Sequence, residues 1–214
     1  MRRFFPNIYV VLILVTFAAV IGFGFKFTIN STAGSAQLQP RQQPITEAMN
    51  IASLNALLKN HGVRVVDPAL LHAQTEQSQT ILVRFQSVDN NSTDGFSAQM
   101  SENIQVSLLS VKTETGALSR QRVLELSPFQ VLVVAVNAQK QVLWWDLQPD
   151  PRQFRAETSD QAGRLSGKTL YRNESEMLVS LPADAAIAEV LFYHPVWDGV
   201  STYSLDQIGG LKFK

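Results

Sequence analysis

The sequence predicts a mainly β body, an antiparallel β-sandwich, preceded by a short amphipathic helix and a single N-terminal transmembrane helix. Three observations predict it. Residues 8–25, IYVVLILVTFAAVIGFGF, carry no charge. Residues 46–60 place apolar side chains at helical spacing. Beyond residue 78, short apolar runs alternate with a period of two and are separated by Gly, Pro and Asp turn chemistry.

The N-terminal run has the length of a bilayer span. At 1.5 Å per helical residue it covers ~27 Å, against ~30 Å for a hydrocarbon core. Arg2 and Arg3 precede it and no acid occurs before Glu47, so the positive-inside rule orients the N-terminus to the cytoplasm and the bulk of the chain outside. Residues 1–29 are thus read as a cytoplasmic stub and anchor, in a single-pass protein of the bacterial inner membrane with a periplasmic domain. Gly34-Ser35-Ala36 also offers a signal-cleavage site, which would release a secreted protein. Because the apolar run exceeds the ~7–15 residues of a signal core, the uncleaved anchor is favoured. Gly22 and Gly24 are the small residues through which such a helix could pack on another in the membrane.

Residues 30–44, NSTAGSAQLQPRQQP, have the composition of a flexible linker. Residues 45–78 are read as a helical preface packing on the domain. Thr46 is the expected N-cap with Glu47 in the first turn, Ile51, Leu54 and Leu58 form a stripe with Leu57 beside them, and Gly62 is the expected terminator. Val63, Val65 and Val66 form a short extended segment stopped by Asp67-Pro68.

Residues 79–214 are the expected β domain. Ile81, Val83 and Phe85 alternate with polar residues, and so do Ile104, Val106 and Leu108 until Leu109 and Val111 take over the apolar face, which predicts a bulge near Leu108. Residues 123–126 are a further candidate. Residues 129–136 are almost wholly apolar and predict a central strand buried on both faces, turning through Asn137 to Lys140 into residues 141–147 as a hairpin. Trp144 and Trp145 then point to opposite faces, one into the core and one partly exposed. More strands are expected at residues 153–156, 169–172, 177–181, 186–193 and 210–213. About nine short strands without helical crossovers point to an antiparallel sandwich, Ig-like or related.

Composition excludes several functions. The chain has no cysteine, so disulfides, thiolate metal sites and a lipidated cysteine are excluded. With Arg2, Arg3 and Lys26 set aside, the remaining 15 basic residues face 18 acidic ones without any basic cluster, so no nucleic-acid partner is expected. The glycines of residues 163–169 enclose three residues where a phosphate loop needs four, and a strand follows instead of a helix. Residues 89–95 are rich in oxygen donors, but Asp94 occupies the position at which a calcium loop requires glycine. His61, His72 and His194 have no partner at i+3 or i+4, so neither a metal nor a cofactor is expected.

No nucleophile signature appears, so no catalytic residue is assigned and the chain is read as a non-enzyme. The leading expectation is a membrane-anchored binding or assembly module with a protein partner in the cell envelope. Trp145, Trp197 and Tyr203 are its candidate contact residues, since exposed aromatics dominate contact energies. The competing expectations are an envelope enzyme or small-ligand binder with a pocket near His194, Trp197 and Asp198, and a complex subunit whose transmembrane helix is the interface.

Overall fold

The computed structural model describes residues 47–48, 50–66, 77–89, 95–116, 118, 125–159 and 161–213. Residues 1–46 lie outside them, and with them the anchor, Gly22, Gly24 and the linker. Among the described residues no helix is long and apolar enough to cross a membrane. The compact unit that contains every described residue spans 41–214.

The unit is mainly β, and all its sheets are antiparallel. Its strands are β1 (Glu47–Ala48), β2 (Gln77–Ser87), β3 (Phe96–Ser97), β4 (Ile104–Thr115), β5 (Glu125–Leu126), β6 (Gln130–Val136), β7 (Val142–Pro149), β8 (Gln153–Ser159), β9 (Leu165–Arg172), β10 (Glu174–Pro182), β11 (Glu189–Trp197) and β12 (Tyr203–Lys212). The helix α1 (Ile51–Leu58) runs into a 3₁₀ turn at Lys59–His61. The sheet orders are β12-β11-β6-β7, β10-β2-β4, β3-β9-β8 and the short pair β1-β5.

The four-stranded sheet is covered on both faces. On one, Val131, Val133 and Ala135 of β6 and Phe192 of β11 meet Val83 and Phe85 of β2 and Val179 of β10. On the other, Leu132 and Val134 of β6 and Tyr193 of β11 meet Leu54 and Leu58 of α1, with Val63, Val65 and Leu126 beside them. Every residue of β6 from Val131 to Val136 is therefore buried, as its continuous apolar run predicts. The turn into β7 is organised by Asn137, whose side-chain oxygen accepts from the amides of Gln139 and Gln141 at 3.0 and 2.9 Å. Lys140 closes it in the left-handed region, φ 59°.

Three expectations need correction. The helix begins at Ile51: Asn50 is the N-cap, its side chain accepting from the Ser53 amide at 2.9 Å, while Glu47 pairs in β1 with Leu126. Residues 47–48, expected in the first turn of the helix, are instead extended and paired with β5. Trp144 and Trp145 do point to opposite faces, but both are half-buried, each against a different core. Strand β12 begins at Tyr203, well before residue 210, because its register against β11 shifts between Gln207 and Gly209 and switches its apolar phase. The bulge in β4 falls at Leu109, between the pairs Val83 with Leu108 and Leu82 with Ser110.

Gly209 sets how closely the sheets approach at one corner. A Cβ there would stand 2.2 Å from Val106 Cγ2 of β4, so only glycine fits beneath that strand without a shift.

Candidate functional site

Two features stand out against this frame: a buried ionic cluster at one end of the core, and an open sheet edge.

The cluster grows from a local turn. Asp150 follows β7, and Pro151 fixes φ for the second position of a turn closed by the Gln153 amide donating to the Asp150 carbonyl at 3.2 Å. The Asp150 side chain accepts from the Arg152 amide at 3.0 Å, the Asx arrangement that suits aspartate at this position. The Arg152 guanidinium then doubles back onto the same carboxylate, Nε to Oδ1 at 2.9 Å and Nη2 to Oδ2 at 2.6 Å. Both groups are buried, and the Arg152 Cζ stands 5.9 Å from the centroid of the Phe85 ring. That ring packs edge-on against Phe192 at 5.3 Å.

His194 reaches the cluster from β11, with Nδ1 3.5 Å from Asp150 Oδ2. That separation is long for a hydrogen bond, so the Arg152 fork carries the pairing. Burial opposes the charge on Asp150, but the approach of His194 and the Arg152 fork outweigh it and hold the carboxyl well below the usual range. A carboxylate so fully engaged is a poor general base. Arg152 Nη1, Ser175 Oγ and His194 Nδ1 are buried with no hydrogen-bond partner among the described residues. Neither described concavity is lined by any of these residues. The arrangement fastens the corner between β7 and β8 to the core, and the Arg172 amide donating to the Arg152 carbonyl at 2.8 Å ties β9 to the same corner.

His194 and Asp198 are not brought together. Asp198 lies beyond β11 on the surface, where its Oδ1 accepts from the amides of Val200, Ser201 and Thr202 at 2.7, 2.8 and 3.1 Å. Those backbone bonds lower its pKa to about 2 against a small opposing effect of burial. Its role is to hold the turn between β11 and β12. Trp197 packs with the core face that α1 covers, while His194 joins Asp150 on the other side of the sheet. Trp197 lies 4.9 Å from the Tyr203 ring, and Tyr203 is buried. Of the three aromatic contact candidates, Trp145 and Trp197 are half-buried and Tyr203 offers almost no surface. His61 is structural too: its Nε2 lies 3.0 Å from the Leu205 carbonyl and its ring 4.9 Å from Tyr193. Among the described residues no group of three or more His, Asp or Glu could hold a metal ion.

The open edge is β4. It pairs with β2 from Ile104 to Thr115, apart from the bulge at Leu109, and among the described residues no strand lies on its other side. Its first half lies over β12, where Val106 meets Gly209, whereas residues 108–115 are all exposed. Leu108 and Val111 stand opposite Val83 and Ile81, so they belong to the core-facing side of the sheet yet remain 40% and 47% exposed. The bulge residue Leu109 is also 40% exposed. A long strand with an unpaired edge and uncovered apolar side chains is a template for another strand.

Sequence reasoning located the bulge in β4 but not its edge position, because sheet order is a long-range property. Asp150 was visible only as a turn residue between Pro149 and Pro151, and Arg152 was not singled out; the Asp-Pro-x-Gln turn signature was there to be read, but not its meeting with His194. In comparisons with known proteins, no family model, no curated protein and no solved structure matches the chain.

Proposed function

We propose that the protein is a single-pass membrane protein whose extracytoplasmic domain, an Ig-like or related β-sandwich, is a binding and assembly module of the cell envelope. The observation that carries this reading is the exposed second half of β4, with its apolar side chains and unpaired backbone edge. An extended segment of a protein partner adds to that edge, its main chain supplying hydrogen bonds while Leu108 and Val111 supply apolar contact. The uncharged run at residues 8–25 supports the anchor, and the composition of residues 30–44 supports a tether that sets the domain's reach. Asp150 and Arg152 support a structural reading in preference to an enzymatic one, since their charges pair with each other within the core.

The test is cross-linking and co-purification of the full chain from intact membranes, beside a variant carrying Leu109→Lys and Val111→Lys. Both positions are exposed, and lysine on an edge strand opposes pairing. A discrete partner recovered with the natural chain and lost with the variant is the expected result. A natural chain recovered only as a monomer, or a partner held equally by both, overturns the reading.

A further inference from the structure

The β3-β9-β8 sheet presents a second surface of different chemistry. Phe96 stands opposite Arg172, Phe154 opposite Leu170 and Ala156 opposite Lys168, so all six share one face. Phe96 and Phe154 are 43% and 42% exposed, and their rings lie 6.0 Å apart. The Arg172 Cζ stands 5.9 Å from the Phe154 centroid, a cation held against an aromatic face. Lys168 and Arg172 are exposed and form no ion pair among the described residues. The remaining positions of this face on β8 and β9 are Thr158 and Ser166, which hydrogen-bond to each other at 2.8 Å, so these strands place no carboxylate on it. Glu157, the acid of β8, is on the opposite face with Arg155.

From this juxtaposition we propose that the Phe96, Phe154, Lys168 and Arg172 face docks the domain on an anionic bilayer surface. Among the described residues of the three strands the charge on the face is wholly positive, whereas the chain beyond residue 30 is net acidic, so the attraction is local to this sheet. Paired phenyl rings flanked by cations match the interfacial layer, where rings enter among the acyl chains while guanidinium and ammonium groups meet lipid phosphates. The inference rests on the anchored reading, because a tether keeps the domain near the bilayer and lets a weak patch act. This surface and the β4 edge belong to different sheets.

The chain has no cysteine, so Ser166→Cys gives a single site for an environment-sensitive fluorophore on this face. The labelled full chain is reconstituted in zwitterionic vesicles and in vesicles containing anionic phospholipid. A blue shift confined to the anionic vesicles, screened by high salt and abolished by Lys168→Glu with Arg172→Glu, is expected. At the known attraction per basic residue, neutralising the two sites alone weakens docking about 25-fold, and reversing them weakens it further. Identical emission in both lipids overturns the proposal. A shift of equal size when polyglutamate is added to zwitterionic vesicles overturns the lipid assignment in favour of an acidic polypeptide. Near-UV circular dichroism of the double variant verifies that its fold is intact. Carbonate extraction reports separately on the anchor: if the chain is extracted, the anchored reading fails, and binding of the labelled chain to preformed anionic and zwitterionic vesicles then decides the docking proposal.

Discussion

The apolar residues of strands β6 and β4 meet opposite fates. In β6 every side chain from Val131 to Val136 is buried, because one sheet covers one face and α1 covers the other. In β4 the apolar residues Leu108, Leu109 and Val111 remain exposed, because β12 covers only the first half of the strand. Hydrophobicity alone therefore does not decide burial here. What covers each face does: edge strand β10 of the same sheet buries Met177, Val179 and Leu181, whereas the second half of β4 has no such cover among the described residues.

The largest expected effect lies at the corner that fastens the core. Asp150→Ala leaves Arg152 buried without its partner and should cost about 3–5 kcal/mol in urea unfolding, much of it recovered when Arg152→Met is added. The sign of the pH dependence follows from the lowered carboxyl. Its stabilisation is complete above the unfolded value of about 4 and is lost as pH falls through the depressed folded value, so the variant should show a flatter acid limb.

The next effect contrasts the two strands themselves. Val133→Ala in β6 should cost about 2–3 kcal/mol through a cavity that cannot collapse, whereas Val111→Ala in β4 should stay within about 0.5 kcal/mol. Equal costs would erase the distinction between them. Gly209→Ala should cost about 1–3 kcal/mol by forcing Val106 away, and a double-mutant cycle with Val106→Ala should show strong coupling.

Tyr193→Phe is the smallest expected change and has the opposite sign. Its hydroxyl is buried with no partner among the described residues, so its removal should be neutral or stabilising by about 1 kcal/mol at neutral pH. Burial, assisted by the charge of Glu189, pushes this phenol up to about 12. The folded state therefore keeps a proton that the unfolded chain loses near pH 10, and stability falls as pH rises from there through about 12. The phenylalanine variant should lack that alkaline slope.

The regularity of the sequence governed how much of this could be read from it. The β6–β7 hairpin and the Leu109 bulge were legible because a long apolar run and a change of phase are local signals. Most of β12 was not, since its own phase change at Ile208 and two glycines hid the alternation of Tyr203 and Leu205 with the later residues. The start of α1 depended on the pairing of Glu47 with Leu126, far along the chain. The contact between Asp150 and His194 was hidden for the same reason. His194 was singled out by its apolar strand, but its carboxylate comes from a turn two strands away in sheet order.

Hydrogen exchange of the full chain, read amide by amide along both strands, tests the contrast most directly. The β6 amides should exchange only through global unfolding, while residues 108–115 of β4 should alternate, slow where the amide bonds to β2 and fast where it faces the open edge. Uniform protection along residues 108–115 would show that this edge is already occupied, and would contradict an edge left free to receive a partner strand.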